Sequence, residues 1–299
     1  MGKFFSDLKT TLGSDALKRV VRKVFEDDCF GLAGQLAYFV LFSLFPFLAF
    51  LVALMGLVVD DPESTLNTLT ESMQDFLPGD IVGLLTDYTD RTLRGAGSGV
   101  LFLGALAALW SGSAASYALI KASNRAYGLR ETRPSWKVWG ISVLMVLCFV
   151  LLVGVLAVMV FSPEAGDYLQ RLAGLPGSLL ILWNILSWAT LFVTLTLIHA
   201  VLYYLAPDAD LPFKWITPGG LLATILILVA SATLDFYVTN LVRYDQLYGS
   251  LTAVAVLMLW LYITGFMVII GVEINAVLAR MTEEREGAEI VRYKDPADQ

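Results

Sequence analysis

Six apolar runs, at 32–59, 99–119, 138–161, 178–205, 216–238 and 250–279, constrain this chain more than any other feature. Each is long enough for a helix to cross the hydrocarbon core of a bilayer, which takes about 20 residues. A chain in hydrocarbon must satisfy its own backbone hydrogen bonds, and a helix does so within one segment. The sequence therefore predicts an all-α, polytopic membrane protein with six transmembrane helices. Charge supports this: only 16% of the 299 residues are Asp, Glu, Lys or Arg, against about a quarter in soluble chains. Several runs exceed the bilayer's need, so those helices tilt, kink or project into water.

The ends read differently. Over 4–25, Phe4, Phe5, Leu8, Leu12, Leu17, Val20, Val21, Val24 and Phe25 recur at helical spacing, interleaved with Lys9, Lys18, Arg19, Arg22 and Lys23. Two readings stay open: a helix lying in the cytoplasmic interface, or one packed on the bundle's own cytoplasmic face. The expected organisation is an amphipathic helix in 1–30, a six-helix domain in 31–280 with an outside segment at 60–98, and a polar tail in 281–299. The first 29 residues carry five acids and no apolar signal region, so no cleavable signal peptide is expected.

Lysine and arginine set the orientation. With both termini inside, 16 of the 20 fall on the inner side and four, Arg91, Arg94, Arg171 and Arg243, outside. This predicts a multi-pass membrane protein, N-in and C-in. Segment 60–98 holds eight acids and two arginines. It reads as two short helices over the outer face, split at Pro78-Gly79, either simply solvated or forming a cation-attracting vestibule.

Polar residues inside apolar runs carry the functional expectations, because an ionised group there needs a partner or water. Gln35, His199 and Glu273 fall at similar depth from the inner ends of their runs, with Asn275 and Asn124 near them. They form a candidate substrate-binding cavity; the alternative places Glu273 at headgroup level, where its helix leaves the membrane. Toward the outside, Asp235 and Arg243 are spaced for an ion pair, a latch or an outer site. Ser43 and Pro46 mark a kink, read as a hinge or as bundle shaping. "WSGSAAS" at 110–116 gives a small-residue face for close helix approach.

Enzyme signatures are missing from the sequence: no GxSxG elbow, P-loop or dinucleotide fingerprint is present. One histidine and two separated cysteines, Cys29 and Cys148, do not make a zinc site, and no cofactor is expected.

"LAGQLAYFVLFSLFPFLAFLVAL", "LWSGSAASYALIKASNRAYGLRETRP", "WITPGGLLATILILVASATLDFYV" and "DQLYGSLTAVAVLMLWLYITGFMVIIGVEINAVL" together resemble the YihY/BrkB family of bacterial inner-membrane proteins, also labelled ribonuclease BN. The resemblance implies an inner-membrane protein linked to envelope lipid or ion transport, and it makes the "GxExN" element of Gly271, Glu273 and Asn275 part of a recurring signature. The residues argue against ribonuclease activity, and the basic loop 120–137 is explained by topology without a nucleic-acid partner. The expected function is transport of a lipid-like or amphipathic anion, with membrane lipids as partners. The alternatives are a cation or proton exchanger using Glu273 and Asp235, and a non-transporting envelope scaffold. The sequence assigns no oligomeric state.

Overall fold

The computed structural model describes residues 13–58, 98–152, 155, 177–240, 252–286 and 292–293. Among these are seven helices: α1 (Ser14–Glu26), α2 (Cys29–Val58), α3 (Ser98–Tyr127), α4 (Ser135–Leu152), α5 (Gly177–Leu205), α6 (Pro218–Asn240) and α7 (Thr252–Glu286). Three stretches, Ser135–Leu152, Ile185–Leu205 and Val254–Arg285, are long and apolar enough to cross a membrane, and Cys29–Leu44 and Pro218–Leu234 are shorter apolar helices. Among the described residues the regular structure is helical, as the apolar runs require, apart from a two-residue antiparallel pairing of β1 (Ala209–Asp210) with β2 (Arg292–Tyr293). The last apolar helix also runs on past 279 to Glu286. The outside segment, apart from Ser98, and residues 1–12 lie outside the described residues.

The helix ends follow local chemistry. Asp28, at φ 52°, breaks α1 from α2; Asp tolerates the left-handed region because its short side chain bonds locally. α3 ends in a Schellman turn: Gly128 sits at φ 72°, its N–H bonds the Arg125 carbonyl at 3.0 Å, and Leu129 N–H bonds the Asn124 carbonyl at 2.7 Å. Pro46 is accommodated inside α2, and Ser43 Oγ donates to the Val40 carbonyl at 2.8 Å. Ser111 and Ser113 donate to carbonyls of their own helix, which hides two hydroxyls in an apolar segment.

The contacts divide the chain into two compact units. One comprises 1–30, 119–227 and 267–299. Its core joins Ile120 and Tyr127 of α3, Met145 of α4, Tyr203 of α5, Ala223 of α6 and Val272 of α7. α1 packs in this unit through Ala16, Val20 and Val24, one stripe at i, i+4, i+8. The adjacent stripe, Leu17, Val21 and Phe25, is exposed. The other unit comprises 31–118 and 228–266. There a Cβ at Gly265 would meet Leu36 at 3.3 Å, which shows how closely α7 approaches α2, and Trp260 Nε1 donates to Ser231 Oγ at 3.1 Å.

Candidate functional site

Within the first unit, α7 is buried on nearly all sides from Ile269 to Leu278, so it cannot have a single polar face. Helical spacing separates the signature residues. Gly271 and Asn275, four apart, share one side, and Glu273 between them points away from it. On the Gly271 side, α6 begins against α7 with almost no space. Thr217 caps α6 in the ordinary way, its Oγ1 accepting the Gly220 N–H at 3.0 Å. Asn275 completes the cap from outside the helix: its Oδ1 accepts the Gly219 N–H at 2.9 Å, and its Nδ2 donates to Thr217 Oγ1 at 3.1 Å. Tyr203 from α5 donates its hydroxyl to the Val268 carbonyl at 2.7 Å.

Glu273, on the other side, is 1% exposed. Its Oε1 lies 3.6 Å from Sγ of the fully buried Cys29, the first residue of α2. Its Oε2 has no hydrogen-bond partner among the described residues. Two residues before Cys29, Asp27 is also buried, with Lys23 Nζ at 3.4 Å and Arg125 Nε at 3.8 Å. Asp27 Oδ2 and Ser123 Oγ share the condition of Glu273 Oε2, buried without a hydrogen bond. Ser123 stands one turn before Tyr127 on α3, and Arg280 Nη2 ties α7 to α3 through the Ala126 carbonyl at 3.1 Å. A buried carboxylate oxygen without a donor is costly. A proton, a water or a small cation would remove that cost, so the site is chemically suited to take one up. Among the described residues, no group of three or more His, Cys, Asp or Glu side chains is placed to hold a metal ion.

The candidates that share this unit with Glu273 make other contacts. His199 is buried, its Nδ1 3.0 Å from Thr224 Oγ1, which donates to the Gly220 carbonyl at 2.9 Å. Through this contact His199 serves the α5–α6 packing. Asn275 is engaged in the α6 cap. Gln35 is exposed on α2 and belongs to the other unit. Asp235 lies on α6, and Arg243 lies outside the described residues, as does any pairing between them. Asn124 joins a different network.

That network was not foreseen from the sequence, where 120–137 read only as a basic loop. Arg133 is buried and grips Glu131 with two 2.7 Å bonds, from Nε to Oε1 and from Nη2 to Oε2. It also donates to the carbonyls of Leu205 and Ala206 at 3.0 and 2.9 Å, capping the end of α5. Asp208 accepts the Thr132 N–H at 2.7 Å and its hydroxyl at 2.6 Å, and lies 3.6 Å from Arg133 Nε. Asn124 bridges both acids, accepting the Asp208 N–H at 2.7 Å and donating to Glu131 Oε2 at 2.9 Å. Burial pushes the Glu131 carboxyl up, but Arg133 and Asn124 outweigh it and hold it below its usual range. The available signal was an acid two residues before an arginine, "ETRP", within an otherwise basic stretch.

Helices of this length and apolarity, with a carboxylate enclosed among them, define a helical membrane protein. The chain belongs to the virulence factor BrkB family, whose model matches residues 20–294. It is 32% identical to the putative ribonuclease-like protein YfkH of Bacillus subtilis, over 82% of this chain and 88% of that one. It is 27% identical to a UPF0761 membrane protein of Alkalilimnicola ehrlichii, over 90% of this chain but 59% of the relative. A UPF0761 membrane protein of Psychromonas ingrahamii is 24% identical, over 89% of this chain and 88% of its own. No solved structure matches.

Proposed function

We propose that this is an inner-membrane transport protein, N-in and C-in with six spans, in which Glu273 binds and releases a proton or small cation. The observation that carries the reading is the unpartnered Oε2 of a carboxylate that is 1% exposed. Groups of this kind in membrane helices mark ion and proton pathways by default. Cys29 and Asp27 supply a polar lead from Glu273 toward the α1–α2 corner. The reading assigns no catalytic step, and the ribonuclease-like name of the Bacillus relative is not carried over.

The test is flux in proteoliposomes under an imposed pH or cation gradient, comparing wild type with Glu273→Gln. Flux by wild type that disappears in the variant supports the reading. Equal flux by both removes Glu273 from the path, and no flux by a folded wild type favours a scaffold.

A second reading, transport of an anionic amphipath, draws on the exposed Leu17, Val21 and Phe25 beside Lys18 and Arg22 on α1. That arrangement suits a helix lying in the interface. It receives less support at the site, because His199 and Asn275 are occupied by protein partners and so are poorly placed to hydrate a headgroup.

A further inference from the structure

The Arg133–Asp208 clamp does more than close a loop, because it fixes two exposed segments at one end of the first unit. On one side, Trp136 and Lys137 stand in the first turn of α4, three and four residues after Arg133. On the other, Tyr204, Phe213 and Trp215 form a ladder of edge-on rings, with centroids 5.2 and 5.0 Å apart. Trp215 leads directly into α6. Trp136 is 74% exposed and Trp215 69%. In sequence Lys214 lies between Phe213 and Trp215, and Arg130 precedes the clamp; both are exposed, as is Lys137.

The charges distinguish this rim from α1. On α1, Arg19 pairs with Asp15 and Glu284, Arg22 with Glu26, and Lys23 with Glu26 and Asp27. Glu131, the acid nearest the rim in sequence, is consumed by Arg133. No acid is paired with Arg130, Lys137 or Lys214 in any ion pair among the described residues. The rim thus combines amphipathic rings at the start of two apolar helices with three cations that make no ion pair among the described residues. Tryptophan and tyrosine favour the headgroup level of a bilayer, and juxtamembrane cations attract anionic headgroups.

We propose that this rim binds anionic phospholipid: the phosphate sits among Arg130, Lys137 and Lys214, and Trp136 and Trp215 flank the glycerol region. The proposal is independent of whether Glu273 carries a proton.

The experiment is native mass spectrometry of the full chain, titrated with dioleoylphosphatidylglycerol or dioleoylphosphatidylcholine. The variants are Lys137→Gln with Lys214→Gln, and Arg19→Gln on α1, a paired cation, as control. Phosphatidylglycerol affinity should fall roughly fivefold for each rim cation removed, with phosphatidylcholine binding and the α1 control unchanged. Undiminished phosphatidylglycerol binding by the rim variant overturns the proposal, as does a loss confined to the Arg19 variant. If the double variant does not fold, tryptophan quenching by brominated lipids in wild type and Trp215→Phe decides. Stronger quenching by brominated phosphatidylglycerol than by the brominated choline lipid, reduced in Trp215→Phe, supports the rim; equal quenching by the two lipids overturns it.

Discussion

Asn275 on α7 caps α6 at Gly219, with a 2.9 Å bond from the backbone N–H to the side-chain oxygen, and the two helices touch backbone to backbone beside it. A Cβ on Gly219 would overlap the Gly271 carbonyl oxygen, and one on Gly271 would overlap the Tyr203 hydroxyl and lie 2.8 Å from the Gly219 carbonyl. Because the obstacles include backbone, no rotamer change relieves them. Gly219→Ala should cost about 3 kcal/mol, the upper end of ordinary overpacking. Asn275→Leu should cost about 1–2 kcal/mol through the lost cap. Unfolding of purified protein in detergent measures both, and a Gly219→Ala variant as stable as wild type would show that α6 and α7 do not meet this way.

Arg133 is the sole side-chain cation paired with Glu131 and Asp208 among the described residues. Removing it takes the cation from the buried Asp208 and the half-buried Glu131, so Arg133→Met should cost about 3 kcal/mol. Arg133→Lys should recover only part, because an ammonium cannot make the two-pronged contact with Glu131 while also reaching both α5 carbonyls. Full recovery by lysine in the same unfolding assay would reduce the clamp to a simple charge contact.

The same clamp predicts a pH dependence. Glu131 has a folded pKa below its unfolded value, so its contribution to stability is complete above the ordinary glutamate pKa of ~4.3 and is lost as pH falls through the lower folded value. Wild-type stability should therefore decline on acidification below that range, and Glu131→Gln should flatten the decline. An unchanged acid slope in the variant would place the responsible carboxylate elsewhere.

The apolar runs made the helical membrane fold legible, since a bilayer leaves the backbone few alternatives. Glu273 was visible for the same reason, as a carboxylate in an apolar run. Depth alone could not say which residues it meets, because residues at one level on different helices still point in different directions. Asn275 is two positions from Glu273 yet serves α6, and His199 at similar depth serves Thr224. The clamp escaped notice because the bonds that join its two segments span 72 to 84 residues of sequence. Local charge counting sees Arg133 as one more cation in a basic loop, although its charge is spent inside the protein. Of the helix expected over 4–25 only the part from Ser14 is described, and there one apolar stripe packs while the next is exposed.

Glu273 allows stability and function to be separated. A carboxylate kept for packing would weaken the fold when replaced, but this one makes a single long contact, to the Cys29 thiol at 3.6 Å, and leaves Oε2 without a partner. Replacing it by a neutral group of similar volume removes a desolvated acid and loses little. Glu273→Gln should therefore unfold within about 1 kcal/mol of wild type, or later, while flux drops to the level of empty liposomes. Cys29→Ala removes the thiol donor and a small buried volume, so it should cost about 1 kcal/mol and leave flux in place. Strong destabilisation by Glu273→Gln with flux retained per folded molecule would make the carboxylate structural and end its assignment as the ion-carrying group.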